Sequence, residues 1–232
     1  MHIEEEIRHK LKKSGTAFMY FVDISHLNAE QNKQFPVAVL FGTALSLAYL
    51  KKIVRNPDYV QDMIRHNQMQ LDEFHLKEQK TDRLADQLAD FIRQKGYAAY
   101  SQSEDNIYLT GYYDTENLHT PLPHKTIALL AGIGWIGKHN LLVTKEYGSA
   151  ISMCTVLTDA PLQTEKQELT ESACGNCNVC VDICPGNALF GIIWKYGIHR
   201  DRLLNATSCS TCMKCLAFCP WTRRYMQENI GN

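Results

Sequence analysis

This chain has no marked excess of positive or of negative residues. Its 232 residues carry 24 Lys and Arg against 25 Asp and Glu, a formal net charge of −1, so no overall field draws it to nucleic acid. The short basic groups at Arg8 to Lys13, Lys51-Lys52 and Arg223-Arg224 read as solvated surface. A long apolar run is missing too. The longest, Phe35 to Leu50 (FPVAVLFGTALSLAYL), has 16 residues and includes Gly42, Thr43 and Ser46. That is short of the ~20 that span a bilayer, and it reads as a buried strand leading into a helix. The N-terminus, MHIEEEIRHK, is charged from its fourth residue and carries no apolar signal core. These absences set the expectation of a cytoplasmic protein with no membrane partner. What is present is ordinary for a globular chain: 45% hydrophobic and 21% charged residues, enough for one substantial core or a core plus a small module.

Cysteine is almost absent before residue 174, where Cys154 stands alone, and then eight of the nine crowd into the last quarter. Cys174, Cys177, Cys180 and Cys184, followed by Pro185, spell C-x2-C-x2-C-x3-C-P. Cys209, Cys212, Cys215 and Cys219, followed by Pro220, repeat the pattern 35 residues later. This is the bacterial two-cluster ferredoxin run. Three cysteines at intervals of three wrap one cubane, and the chain then carries the fourth thiolate away to the other cluster. The expected assignment is therefore crossed, with Cys174, Cys177, Cys180 and Cys219 on one [4Fe-4S] centre and Cys209, Cys212, Cys215 and Cys184 on the second. Zinc sites more often use two C-x2-C pairs or mix in His and have no use for a trailing Pro twice over, and disulfides are disfavoured in a reducing compartment. Cys154 lies on the expected strand ISMCTVLT and reads as a small core residue.

Residues 132 to 138, GIGWIGK, match G-x-G-x-x-G, the dinucleotide fingerprint. That fingerprint works only where a strand enters the loop and a helix leaves it, placing the pyrophosphate on the helix N-terminus. Here the order is reversed. His124 to Ala131 (HKTIALLA) has the composition of a helix, whereas Asn140 to Thr144 (NLLVT) and Ile151 to Thr158 are β-branched segments around the turn Tyr147-Gly148-Ser149. Trp135 and Ile136 also crowd the loop. A nicotinamide site is not expected.

The remaining N-terminal chain alternates element types. Thr16 to Ile24 and Phe35 to Phe41 read as strands and Gly42 to Lys52 as a helix. Asn56-Pro57-Asp58 suggests a helix start with Asn as N-cap and Pro first. Leu84, Leu88, Phe91 and Ile92 define a helix that stops at Gly96. Tyr97 to Tyr100 reads as a strand, and Asp105 to Asp114 as a loop or hairpin. The class is α+β, an N-terminal cofactor or substrate domain over residues 1–165 joined to a two-[4Fe-4S] ferredoxin-like domain over 166–232, with the polar TEKQELTES at the boundary. Among groups that could transfer protons, His119, His124 and His139 flank the glycine loop, and Asp105, Tyr112-Tyr113 and Asp114 precede it. Turn chemistry accounts for the aspartates equally well, and Asp159 in TDAPL reads as such a turn residue.

The ordered combination AGIGWIGKHNLLVTKEYGS, TDAPL, CGNCNVCVDICPGNAL and CPWTRR, from about Pro121 to Arg224, resembles the cobalamin-dependent epoxyqueuosine reductases and, more distantly, the reductive dehalogenases. The resemblance implies a nitroreductase-like α+β domain that has exchanged flavin for cobalamin, with two cubanes that reduce its cobalt for attack on a substrate. It also implies cofactor contacts from Gly134, Trp135, Gly137, Lys138, Tyr147, Gly148 and Ser149. The family's general acid precedes this region, but ENLHTPLPHK has no aspartate at that place; Asp114 lies earlier and His119 is the nearest titratable group, so these two are the catalytic candidates. The family's helical-repeat domain is not matched before the chain ends at Asn232, so a short form is expected and transfer RNA is a weaker partner than a small or nucleoside-like substrate. An external donor of ferredoxin or flavodoxin type would supply electrons. The alternative is an electron-transfer or binding protein, a ferredoxin module fused to a partner-docking or flavin-binding domain.

Overall fold

The computed structural model describes residues 2–164, 168–195 and 197–229. The chain forms two compact units, and it passes between them several times. The first comprises Met1–Thr43, Lys77–Gly132 and Ser152–Glu168, and the second Ala44–Leu76, Ile133–Ile151 and Leu169–Asn232. The division expected at 165/166 falls outside the described residues. The second unit is larger than a ferredoxin-like tail, because it takes in the 44–76 and 133–151 segments as well.

In the first unit, helix α1 (Ile3–Lys13) packs Ile3, Ile7 and Leu11 inward, with Glu4, Glu5 and Glu6 at its N-terminal end and Lys10, Lys12 and Lys13 at its C-terminal end, as the helix dipole favours. Strand β1 (Phe18–Asp23) follows, then the single turn α2 (Ala29–Asn32) and strand β2 (Val37–Ala44). β1 and β2 pair antiparallel, Phe18 opposite Gly42 and Asp23 opposite Val37. Gly42 is required there, since a Cβ would meet the Phe18 ring at 2.4 Å. Six successive residues of β2 are buried, which explains why VAVLFG reads as an unbroken apolar run rather than an alternating one.

The four-stranded sheet runs β1-β2-β6-β3, with β3 at Ala99–Ser101 and β6 at Ile151–Thr158, and β3 pairs antiparallel with β6. Leu84, Leu88 and Ile92 of the long helix α5 (Glu73–Gln94) join Val39, Phe41, Cys154 and Val156 in one core. As expected, α5 ends before Gly96, whose φ of +89° a glycine tolerates. The 105–114 segment departs from its loop reading: α6 (Glu104–Leu109) starts after Ser103 with Glu104 and Asp105 in its first turn, a start signal that the polar composition obscured. Helix α7 (His124–Leu130) is present.

In the second unit β2 runs on to Ala44, and Ser46 caps helix α3 (Leu47–Arg55), its hydroxyl accepting the Tyr49 amide. The expected Asn56 cap is displaced by two residues: α4 (Tyr59–Arg65) begins after Asp58, and Asn56 closes α3 instead. Strands β4 (Gly134–Ile136) and β5 (Leu142–Thr144) pair antiparallel, Trp135 opposite Val143. The one-turn helix α8 (Val179–Asp182), α9 (Lys214–Phe218) and α10 (Pro220–Glu228) complete the unit. Leu45, Tyr49, Leu50, Ile53, Leu216, Ala217 and Met226 form its core. Among the described residues no helix is long and apolar enough to cross a membrane.

Candidate functional site: two sets of four thiols braced by the glycine loop

The cysteine runs sit on loops that bend tightly. Gly175, Thr211 and Met213 have φ values of +49°, +52° and +59°. Gly186, just past Pro185, lies so close to the second run that a Cβ would stand 2.1 Å from the Ser208 carbonyl oxygen. That approach, and the packing of α8 against α9, carries each run's fourth cysteine toward the other run. The thiols whose charge Cys180 feels are those of Cys219, Cys174 and Cys177. Those that Cys215 feels are Cys212 and Cys209, then Cys180 and Cys184. Each of these thiols thus has neighbours from the other run, Cys219 beside Cys180 and both Cys180 and Cys184 beside Cys215.

Burial, reinforced by these neighbours, pushes the Cys180 thiol up to about 11 and the Cys215 thiol up to about 12. Burial likewise raises Cys219, although the amides of Trp221 and Thr222, at the start of α10, donate to its sulfur and pull the other way. Thiolates packed together in this way need a shared cation to exist. Cys184 Sγ accepts the Ala188 amide at 3.3 Å, the kind of N–H···S bond that tunes an iron–sulfur centre. Among the described residues no three Cys, His, Asp or Glu side chains converge on one point as a single ion requires. A cubane differs, because its irons occupy four corners and its ligands stand apart. The donor sets, all thiol and without His, have the chemistry of iron–sulfur ligation.

The seven residues expected to touch a cofactor are brought together, but against protein. A Cβ on Gly134 would lie 2.0 Å from the Val143 carbonyl oxygen, and one on Gly137 2.6 Å from the His139 ring. Trp135 is 1% exposed and stands edge-on to Trp221, ring centroids 4.9 Å apart. Tyr147 meets Tyr225 edge-on. Gly148 has φ +59°, and a Cβ there would meet the Thr222 amide nitrogen at 2.3 Å. The Ser149 amide donates to Thr222 Oγ1 at 3.0 Å, and its hydroxyl lies 3.2 Å from His139 Nε2. Lys138 Nζ donates to the Cys177 carbonyl and to Asn178 Oδ1, both at 2.9 Å. These residues do not fit a corrinoid contact surface. Trp135 Nε1 is buried and has no acceptor among the described residues.

Asp114 and His119 close a small loop in the first unit through reciprocal backbone bonds of 2.8 and 3.2 Å. The side chains lie 3.8 Å apart, 38% and 40% exposed. Asp114 accepts from the amides of Glu116 and Asn117 and from Asn117 Nδ2. The Asn117 bonds hold its carboxyl below the usual range, so it stays ionised at neutral pH. His124 instead points to Thr155 Oγ1 at 2.9 Å. Elsewhere on this unit a polar pair has no local signal in the chain: buried Cys154 bonds to half-buried Asp82, and burial raises both.

Ferredoxin-type thiol loops built into an α+β chain define a class rather than one protein. Comparison narrows it: no family model matches, but the chain is similar to epoxyqueuosine reductases. That of Lactococcus garvieae is 37% identical over 102 residues, 44% of this chain and 24% of the relative. A solved epoxyqueuosine reductase with an epoxyqueuosine-modified tRNA-Tyr stem loop superposes with a TM-score of 0.54 at 17% identity, over 95% of this chain and 65% of its own. A reductive dehalogenase described as carrying out B12-dependent dehalogenation gives 0.60 at 18% identity, over 98% and 34%. The chain matches only about a quarter of the Lactococcus relative, and the structural likenesses establish the α+β fold.

Proposed function

We propose that this chain is an iron–sulfur reductase resembling epoxyqueuosine reductase, in which eight cysteines hold two [4Fe-4S] clusters that receive electrons one at a time from a ferredoxin- or flavodoxin-type donor. The observation that carries the reading is the crossed neighbourhood of the thiols, Cys219 beside Cys174 and Cys177, and Cys184 beside Cys215. Each set combines thiols that would repel as anions with N–H groups aimed at sulfur, which suits a cluster of fixed ligand number.

Cobalamin is the proposed second cofactor, supported by the likeness to a B12-dependent dehalogenase, though not at the seven glycine-loop and turn residues, all but Tyr147 of which are buried. The substrate is a small or nucleoside-like molecule, and the neighbour solved with a tRNA stem loop supports a modified nucleoside over other small molecules. His119 is a better proton donor than Asp114, whose carboxylate is already committed to its own turn. The cytoplasm, where thiols stay reduced, suits such a module.

Anaerobic reconstitution of the full chain with iron and sulfide should give about eight irons per chain. Iron uptake at or below about one per chain would sink the reading. Titration of the loaded protein with cobalamin should change the corrinoid's visible spectrum. No change at saturation would leave the second reading, an electron-transfer protein without its own substrate chemistry, which the closed packing of Gly134 to Ser149 favours.

A further inference from the structure

The glycine loop ends in a lysine that no turn or helix cap requires. Lys138 is 6% exposed, and an ammonium is rarely buried to that degree without a task that repays its lost hydration. Its Nζ donates to two neutral acceptors, the Cys177 carbonyl and Asn178 Oδ1, both at 2.9 Å. Neither acceptor cancels the positive charge. Both belong to the turn that carries Cys177 and Cys180, two thiols of the set that Cys219 completes.

The other thiol set has a lysine of a different kind. Lys214, between Cys212 and Cys215, is 9% exposed, but its Nζ lies 2.8 Å from Asp58 Oδ1. A carboxylate therefore neutralises the cation beside the second set, while among the described residues a carbonyl and an amide oxygen orient the cation beside the first.

The geometry points to Lys138 as the residue that sets the reduction potential of the cluster held by Cys174, Cys177, Cys180 and Cys219, making the two clusters electrically unequal. The inference rests on the iron–sulfur reading above. A cluster gains one negative charge when reduced, and a cation hydrogen-bonded to the ligand loop in a poorly solvated site favours that state. Lys138 touches the backbone of the ligand loop rather than the iron, so it is a positioning and tuning residue. Trp135 and Gly134, closed onto β5 and Trp221, hold its backbone. That gives GIGWIGK a use unrelated to a dinucleotide: its glycines let a strand approach closely enough for the next side chain to reach the ligand turn.

The test uses the full chain, reconstituted anaerobically, with iron content and EPR-monitored redox titration as readouts. Lys138→Gln keeps a hydrogen-bond donor and drops the charge; Lys138→Arg keeps the charge. In Lys138→Gln one of the two couples should move to more negative potential while the other stays, and in Lys138→Arg both should stay near the parent values. Loss of one cluster in Lys138→Gln but not in Lys138→Arg also supports the charge as the requirement. Full iron content in Lys138→Gln with both couples unmoved overturns the inference, as does equal loss of a cluster in both variants. Wild-type protein that takes up no iron overturns the iron–sulfur reading and this inference with it, a result distinct from the others.

Discussion

His124 shows how one side chain ties stability to pH. It is half-buried, with Nδ1 2.9 Å from Thr155 Oγ1, and loss of hydration pulls its pKa down to about 4. In the unfolded chain a histidine titrates near about 6.5. Between about pH 6.5 and 4 the unfolded chain therefore binds a proton that the native chain does not, so native stability falls as pH drops through that window and levels off below it. The full shift would be worth about 3 kcal/mol, and partial exposure reduces it to about 1–2 kcal/mol. His124→Gln keeps a group able to bond Thr155 and cannot take the proton. Its urea midpoint should fall less than the parent's between pH 7 and 4.5; parallel curves would refute the account. Two glycines make a sharper contrast. Gly148 and Gly15 both have positive φ, but a Cβ on Gly148 would meet the Thr222 amide at 2.3 Å whereas one on Gly15 meets nothing within 4 Å. Gly15→Ala should cost about 1 kcal/mol from backbone strain alone. Gly148→Ala adds a clash with backbone at the start of α10 and should cost at least about 3 kcal/mol, read as the difference in thermal midpoints.

Among the elements, Asp72 ties α3 to the first residues of α5, within the 44–76 segment of the second unit. Fully buried, it accepts the Tyr49 hydroxyl at 3.0 and 2.9 Å through its two oxygens. One of those oxygens also takes the Phe74 and His75 amides at the start of α5. Next to it, Glu73 takes the Ser46 amide and hydroxyl at the start of α3. Burial, then the Asp72 charge, raises the Tyr49 phenol so that it stays protonated and can donate to Asp72. Asp72→Ala removes a helix cap and orphans a buried hydroxyl, for a loss of about 2–4 kcal/mol. Tyr49→Phe leaves the cap and should cost about 1 kcal/mol. Comparable losses in chemical denaturation would show that the cap contributes nothing. Such long-range pairs are the part of the fold that local pattern could not reveal. β6 was legible to the residue because ISMCTVLT is β-branched and bounded by turns, and α5 because its apolar spacing is strict and Gly96 ends it. α6 hid in a polar segment whose start signal, Ser103 before Glu104 and Asp105, competes with turn chemistry. Asn56 misled because the next aspartate takes the position before the helix. β4 hid inside the glycine fingerprint, where Trp135 and Ile136 are strand formers that pair with Val143 and Leu142. At the site, the thiol spacing carries the ferredoxin pattern within one short stretch of chain, while the partners of Lys138 lie about 40 positions away in sequence and nothing local encodes them.

Across the whole chain, the division into units is nonlocal: segments 44–76 and 133–151 belong with the cysteine runs. They supply α3, which packs against α9, and the loop that ends in Lys138. The cysteine runs therefore fold with a supporting frame, and the crossed ligation proposed for them can be measured. If Cys219 completes the set of Cys174, Cys177 and Cys180, then Cys177→Ser and Cys219→Ser each remove the same cluster and leave about four irons. Combining them should remove no more, because the second change acts on a site already lost. Cys177→Ser with Cys184→Ser strikes one ligand of each set and should leave almost none. An uncrossed arrangement reverses these outcomes, so that the 177/184 pair keeps about four irons and the 177/219 pair keeps almost none. Circular dichroism on each variant separates loss of cluster from loss of fold. The crossed result is the one expected here, since Cys219 follows α9 and heads α10, where the Trp221 and Thr222 amides donate to a sulfur whose charged neighbours are Cys174 and Cys177.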